Sequence, residues 1–317
     1  MDTLLIMLKN VMIFVLLAVP GYLLVKGNLL TQKESGTLSK VLTNLGMPFM
    51  ILSSTIKLEF TGSFALSLVI FGILCIATTL AMFFTSQWFC RSKAPKTTAM
   101  MRFCMVFSNN GFIGIPLARA VFGEASPVMA YLIIANIVMN VMMFSMGPSL
   151  ISGDKKSVNL KKILFTPVLI AFVVGIVLNL TKVCSLLPEI QTYATHFSGI
   201  VTPLSMVVLG MKLAQIPMKK LLTEGKMYQV SAFRLVLYPV VGVVVMYLLQ
   251  YVSFLQLGAD AVIAYFVGFA VPTAGLASVF ADQHDGDTES AVIFTLGSTL
   301  LSIVTIPVLY WILRMFV

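Results

Sequence analysis

Two short segments combine glycine, proline and polar residues inside otherwise apolar stretches. The first runs Asn-Asn-Gly-Phe-Ile-Gly-Ile-Pro over 109–116, and the second runs Ala-Val-Pro-Thr-Ala-Gly over 270–275. Proline removes a backbone donor and glycine loosens φ, so a helix is expected to open at each segment. The freed N–H groups and the asparagine amides favour an anion, whereas freed carbonyls favour a cation. The chemistry predicted here is the binding of a small ion.

The candidate binding residues lie in these two segments and on one neighbouring apolar stretch. They are Asn109, Asn110, Gly111, Pro116, Val271, Pro272, Thr273, Asn136 and Asn140. Asn110 is the residue favoured for direct contact, because a polar side chain in an apolar interior is costly and is typical of function. Pro116 and Pro272 are interpreted as setting the shape of the breaks, and Thr273 fits either role. For Asn136 and Asn140, interhelical hydrogen bonding and lining of a cavity both remain open.

Several charged residues have simpler interpretations. Lys57 and Lys212 end corresponding apolar stretches, so each is expected to cap its own helix and to extend toward the membrane surface. Arg234, about one turn inside its apolar stretch, is expected to extend toward the membrane surface, with neutralisation of a bound anion as the alternative. In the acidic loop at 282–289, Asp287 is predicted to cap the helix that follows.

No group of residues predicts catalysis. The two histidines are far apart, the four cysteines show no paired spacing, and neither a nucleophile motif nor a phosphate-binding glycine loop is present. The sequence therefore predicts no enzyme, no bound cofactor and no metal centre.

The elements that must position these residues are membrane-spanning helices. Hydrophobic residues make up 59% of the 317-residue chain and charged residues only 10%, against about 25% charged residues in a soluble domain. Runs of about 20 apolar residues are long enough to cross the hydrocarbon core. We predict ten spans in a single membrane domain over 1–317, at roughly 4–25, 38–56, 63–89, 97–119, 127–151, 163–181, 193–214, 228–251, 260–281 and 289–315.

The basic residues orient these spans. Of the 21 lysines and arginines, 14 fall in the first, third, fifth and seventh loops and five fall on the other side. The excess predicts that these four loops are cytoplasmic. Both termini are then predicted to lie on the extracytoplasmic side of the cell membrane, that is, the plasma or inner membrane. The net charge of +9 is thus an orientation signal, and no nucleic-acid partner is predicted.

The two halves of the chain have prolines at corresponding positions. Pro48 and Pro203, Pro116 and Pro272, and Pro148 and Pro307 are separated by 155 to 159 positions. A repeat of five spans is odd, so the second copy must enter the membrane from the opposite side. Repeats over about 1–152 and 153–317 therefore predict the inverted architecture of secondary transporters, with both breaks near the midplane around one cavity.

The segment Asn109 to Leu117 resembles an element of the auxin efflux carrier family, which includes plant PIN carriers and bacterial malonate and malate permeases. Further similar segments cover nearly the whole chain: Gly21–Leu24, Gly27–Leu30, Leu45–Pro48, Thr202–Leu204, Leu209–Leu213 and Arg234–Pro239. Together these segments are specific, although each alone is weak.

The resemblance implies a ten-helix fold related to the bile acid–sodium symporters. It implies a homodimer through a scaffold of spans one, two, six and seven, and a moving transport domain of spans three to five and eight to ten. Spans four and nine would cross at their breaks, and the transport domain would move as an elevator. The implied substrate is a small organic anion, such as malate, malonate or an auxin-like acid, with coupling to Na⁺, to H⁺ or to neither left open. The alternatives are a membrane sensor that binds the anion without moving it, and a channel.

Overall fold

The computed structural model describes residues 2–57, 62–153, 165, 167–215, 217–255 and 257–317. This part of the chain is helical and contains no β-strand, which confirms the all-helical class. The start of the predicted sixth span and the lysines at 155–162 lie outside the described residues. The helices are α1 (Asp2–Lys26), α2 (Gln32–Val41), α3 (Met47–Ile56), α4 (Gly62–Phe89), α5 (Pro95–Val106), α6 (Ile115–Phe122), α7 (Pro127–Ser152), α8 (Pro167–Leu180), α9 (Val183–Leu186), α10 (Pro188–Gly199), α11 (Val201–Leu213), α12 (Met218–Thr223), α13 (Gly225–Ala232), α14 (Tyr238–Leu249), α15 (Ala259–Phe269), α16 (Ala277–Gln283) and α17 (Thr288–Leu313).

Three of these helices are entered through a wide π turn that precedes a proline. The turns are Leu42–Gly46 before α3, Asn110–Gly114 before α6 and Phe233–Leu237 before α14. In each case proline is the second residue of the helix that follows. Proline cannot donate to the turn before it and its ring crowds the carbonyl four residues back, so a wider turn accommodates it. The sequence predicted an opening of the helix only at the segment before Pro116, and it did not predict the π turns.

Five continuous helices within the described residues have the length and apolar composition needed to cross a membrane. They are Phe64–Phe89, Pro127–Ser152, Pro188–Leu213, Gly225–Leu249 and Thr288–Leu313. Shorter apolar helices cover Leu16–Lys26, Asn110–Phe122, Pro167–Leu180 and Ala259–Phe269. Large apolar side chains on the outside, such as Val69 and Ile73 on α4, are about 60% exposed, as expected of a surface that faces lipid. These features fit a multi-pass membrane protein.

Two helix pairs each join a helix of the first half of the chain to one of the second half. α1 packs on α11, and α8 packs on α3. The α1–α11 contact is close because Gly21 and Gly210 face the partner's backbone: a Cβ on Gly210 would lie 1.8 Å from the Ala18 carbonyl oxygen. Small residues at a helix crossing are typical of membrane proteins, where close van der Waals packing drives association.

The best-buried part of the molecule surrounds the two predicted breaks. Every residue from 103 to 118 and from 261 to 274 is buried, and the helices around them are α4, α5, α7, α15 and α17. The aromatic side chains of Phe103, Phe107, Tyr265 and Phe269 are fully enclosed there. Broken backbone at this depth must find its hydrogen bonds within the protein.

Charged and polar contacts join helix ends and loops from different parts of the chain. Lys96 pairs with Asp285 at 2.6 Å, and Thr97 donates to Asp287 at 2.6 Å. In another group, Lys57 pairs with Glu124 at 2.7 Å. Asp287 also caps α17 by accepting from the Ser290 N–H, which confirms the helix cap predicted for this residue.

Candidate functional site

The two broken helices meet and share backbone hydrogen bonds. α5 ends at Val106 and the next turn begins at Asn110, while α15 ends at Phe269 and α16 begins at Ala277. Between these ends the Asn109 N–H donates to the Pro272 carbonyl at 2.7 Å, and the Ala274 N–H donates to the Phe107 carbonyl at 2.9 Å. Ser108 and Thr273 thus form an antiparallel bridge. Each break supplies the partners that the other break needs.

Arg234 completes the backbone pairing at the ends of α5 and α15. Its side chain is fully buried, and its guanidinium donates to the carbonyls of Val106 at 2.9 Å and Met105 at 3.3 Å, and to that of Phe269. A positive charge at the C-terminal ends of two helices is favourable because both helix dipoles present their negative ends there. These three carbonyls already face a cation that belongs to the protein itself.

Three asparagines form a directed chain of hydrogen bonds beside the break. Asn140 donates through Nδ2 to Asn136 Oδ1 at 3.2 Å, and Asn136 donates through Nδ2 to Asn110 Oδ1 at 2.8 Å. Because the Asn110 oxygen accepts, its Nδ2 must be the end that remains a donor. This nitrogen is buried and has no hydrogen-bond partner among the described residues. This chain of hydrogen bonds therefore leaves the two N–H groups of Asn110 Nδ2 without an acceptor.

Asn110 also lines a cavity of about 30 Å³. Its lining combines polar residues of the first break and of α7 with Met47 and the 274–276 segment of the second break. A Cβ on Gly111 would lie 2.6 Å from the Met47 side chain and 2.9 Å from Asn136 Nδ2. A side chain at position 111 would therefore displace the end of Met47 or the Asn136 amide that reaches Asn110.

The structure brings five of the nine sequence-predicted site residues to this cavity: Asn109, Asn110, Gly111, Asn136 and Asn140. The other four are buried but do not line it. The Pro272 carbonyl accepts from Asn109, and Thr273 donates its hydroxyl to the Cys104 carbonyl at 3.0 Å and its N–H to Ser298. Pro116 is the second residue of α6, and Val271 is fully buried.

The expectations for Arg234 and Lys212 were wrong. Arg234 does not extend toward the membrane surface, because the ends of two broken helices bind its guanidinium. Lys212 does not cap its own helix: its ammonium donates to the Ser278 hydroxyl at 2.9 Å and the Gly275 carbonyl at 3.4 Å. Both residues contact distant segments, so helical periodicity carried no signal of their partners.

A second cavity of about 30 Å³ lies where Lys212 approaches the breaks. Asn109, Phe112 and Gly275 line both small cavities. The second cavity adds Lys212 and the hydroxyl residues Ser39, Ser205 and Thr295. Asn109 is therefore shared by two polar cavities, of which one contains a positive charge.

The chain is similar to known membrane transport proteins. A family model described as membrane transport protein matches residues 5–310. A protein of Methanothermobacter thermautotrophicus described as an uncharacterized transporter is 28% identical over 302 residues, and the match covers 94% of each chain.

Proposed function

Since the chain belongs to the membrane transport protein family, we propose that it is a secondary transporter of small organic anions. The substrates would be mono- or dicarboxylates such as malate and malonate, or auxin-like acids. The proposal extends the resemblance to the auxin efflux carrier family, which the family match supports. Access to the paired breaks would alternate between the two sides of the membrane.

The observation that carries the proposal is the unused amide donor of Asn110. A buried N–H without a partner is costly, and a carboxylate oxygen is the strongest acceptor that could relieve this cost. The helical segment over residues 110–122 begins at the same residue, so its unpaired N–H groups and the positive end of its dipole favour an anion there. Asn136 and Asn140 position the donor and need not contact the substrate.

The packing supports an inverted repeat of five spans in each half. In such a repeat, α1 of the first half corresponds to α8 of the second half, and α3 corresponds to α11. The contact of α1 with α11 then has the contact of α8 with α3 as its counterpart. Likewise, α7 packs on α4 and on α15, while α17 packs on α13 and on α5. This pattern fits a scaffold of spans one, two, six and seven beside a transport domain that moves as an elevator. A homodimer through the scaffold is part of the proposal.

The contacts between loops support the predicted sidedness. Lys96 and Asp285 belong to loops three and nine, and Lys57 and Glu124 to loops two and four. Each pair joins loops assigned to the same side. The protein would lie in the cell or inner membrane with both termini outside and the lysine-rich loops in the cytoplasm.

Uptake into proteoliposomes tests the role of Asn110. Wild type should take up labelled malate, malonate or indole acetate in a saturable manner. Asn110→Ala should lose at least ten-fold in uptake rate, because it removes the donor, and Asn110→Asp should lose more, because it places a second negative charge beside the anion.

The matched control is Asn44→Ala. Asn44 is exposed and donates only to the Lys40 carbonyl of its own helix, so this variant should transport at the wild-type rate. Equal uptake by wild type, Asn110→Ala and Asn110→Asp would remove Asn110 from the site.

A further inference from the structure

Two groups of helices meet around the cavities, and they belong to different parts of the proposed fold. A larger, apolar cavity of about 170 Å³ is lined by α1 and α11, which belong to the proposed scaffold, and by α6 and α17, which belong to the proposed transport domain. Side-chain contacts that cross from one group to the other must break or change if the groups move relative to each other.

An ionic cluster crosses between the groups at the end of α6. The carboxylate of Glu124, in the loop after α6, pairs with the Lys57 ammonium at 2.7 Å through one oxygen and with the Arg119 guanidinium at 3.3 Å through the other. Arg119 also donates to the Ser54 hydroxyl of α3 at 3.3 Å and to the Ser198 hydroxyl of α10 at 3.4 Å. The three charged side chains are between 28% and 36% exposed, and charges in a network contribute more than an isolated surface pair. The cluster therefore joins the first broken helix to α3 and α10.

The helix that carries Lys57 is held to its neighbours independently of this cluster. Gln191 of α10 donates to the Ser53 carbonyl at 3.2 Å and to the Ser53 hydroxyl at 3.0 Å. Asn179 of α8 donates to the Ile56 carbonyl at 2.7 Å. α3, α8 and α10 are thus tied to one another, so Lys57 is attached to the scaffold and Glu124 to the transport domain.

The second half of the chain has a matching lysine and carboxylate. Lys212 lies 155 positions after Lys57, and Asp282 lies 158 positions after Glu124, within the range of offsets that separates the paired prolines. In an inverted repeat these two residues belong to the opposite, cytoplasmic side of the molecule. Lys57 and Glu124 are called the outer pair below, and Lys212 and Asp282 the inner pair.

The inner pair is apart where the outer pair is in contact. Lys212 donates to the Ser278 hydroxyl at 2.9 Å and to the Gly275 carbonyl at 3.4 Å. Asp282 acts on Lys212 electrostatically, without contact, and accepts from the Thr288 hydroxyl. Ser278 and Asp282 lie four positions apart on α16, so they are neighbours on one face of the helix. Lys212 therefore stops one helical turn, about 5.4 Å, short of its matching carboxylate.

We propose that the two ion pairs alternate during transport. The outer pair holds the scaffold and the transport domain together in the conformation described here, and the inner pair forms in the opposite conformation. Because the halves of an inverted repeat are alike, a contact made by one half in one state has its counterpart in the other half in the other state. A shift of one helical turn of one element past another occurs in such transitions, and it would bring Asp282 to Lys212. The inference rests on the proposed alternating access and identifies residues that set its balance.

Distances across the outer side test this alternation. Spin labels are placed on Ala120→Cys of α6 and Thr192→Cys of α10, both exposed, in a Cys184→Ser background, because the other three cysteines are buried. Double electron–electron resonance then gives the fractions of short and long distances. Glu124→Gln should raise the long-distance fraction at least three-fold and Asp282→Asn should lower it, because each variant weakens the state that its carboxylate stabilises.

The matched control is Lys96→Gln. Lys96 pairs with Asp285 at 2.6 Å, but both residues belong to the proposed transport domain, so the distances should match those of the labelled parent. An unchanged long-distance fraction in either folded carboxylate variant, or a shift of both variants in the same direction, would overturn the alternation. A shift in Lys96→Gln as large as that in Glu124→Gln would also overturn it.

Crosslinking tests the inference on the wild-type protein. A carbodiimide joins an amine to a carboxylate only where the two are in contact, so peptides that link Lys57 to Glu124 and peptides that link Lys212 to Asp282 should both be found by mass spectrometry. Recovery of the outer link without the inner link would overturn the alternation. The uptake assay tests the proposed function separately: a wild-type protein that moves no organic anion would contradict the function, whatever the distances show.

Discussion

At the scale of single residues, the site depends on whether the oxygen or the nitrogen of each asparagine amide forms the hydrogen bond to its neighbour. Asn136 donates to Asn110, so the Asn110 oxygen is occupied and its nitrogen is left without an acceptor. An isolated asparagine could turn its amide either way, but in a chain of three hydrogen-bonded amides each orientation is fixed by the neighbouring donors. This directionality is the basis for proposing Asn110 as a donor to an anion.

Arg234 is expected to matter for stability. Arg234→Gln should lower the free energy of unfolding by about 3 kcal/mol or more, because hydrogen bonds to a charged donor contribute about 1.5–3 kcal/mol each and buried carbonyls would lose their partners. Arg234→Lys keeps the charge but loses the planar fork, so its loss should be smaller. Reversible unfolding in detergent micelles measures both.

The control for Arg234 is Arg91→Gln, since Arg91 lies exposed in a loop. It should change the free energy of unfolding by less than about 0.5 kcal/mol. Equal stability of Arg91→Gln and Arg234→Gln would contradict the role given to the buried guanidinium.

Much of the candidate site could be predicted from the sequence, but the contacts of Arg234 and Lys212 could not. Glycine and proline interrupt a helix wherever they stand, so the breaks and the nearby asparagines were identifiable from residue type alone. Arg234 lies 128 positions from its Val106 acceptor, and Lys212 lies 66 positions from Ser278. Such contacts depend on how the helices pack, which local patterns do not encode.

At the scale of helices, the beginning of α17 depends on Asp287. Its carboxylate accepts from the Ser290 N–H and hydroxyl and from the Thr97 hydroxyl. Partial burial opposes ionisation, but the hydrogen bonds from Ser290 and Thr97 outweigh it and lower the pKa of Asp287 below its ordinary value. The ionised carboxylate thus ties α17 to the start of α5.

Asp287→Ala should reduce the free energy of unfolding by about 1 kcal/mol at neutral pH, the usual contribution of a helix cap. A lowered native pKa means that this contribution is complete above the unfolded pKa of about 4 and is lost as the pH falls through the native pKa. Unfolding midpoints of wild type and variant should therefore converge in acid. Asp285→Asn is the control, because the exposed pair with Lys96 that it removes contributes little and asparagine tolerates the positive φ of this position. A pH-independent difference for Asp287→Ala would contradict the role given to the ionised cap.

Helix boundaries were also more predictable than helix geometry. Hydrophobic runs mark where helices lie because lipid requires apolar surface over a fixed length. The wide turns before Pro48, Pro116 and Pro239 result from local crowding that a hydropathy pattern does not register. Two of these turns lie next to the cavities, where Leu42 and Gly111 form part of the lining.

At the scale of the whole molecule, the cavities lie between two groups of helices. α1, α3 and α11 contribute one wall, while the breaks, α7 and α17 contribute the other. The proposed carrier mechanism would use this division, because a substrate held between two groups of helices that move relative to each other would be exposed to either side in turn.

Counterflow in proteoliposomes tests this claim most directly. Vesicles that contain the purified protein are loaded with unlabelled malonate or indole acetate, and entry of the same labelled acid is followed without any imposed ion gradient. Because a carrier can exchange internal for external acid, we expect saturable uptake that rises with the internal unlabelled acid and falls at least ten-fold in Asn110→Ala. Binding without flux, or flux that neither saturates nor responds to internal acid, would contradict it.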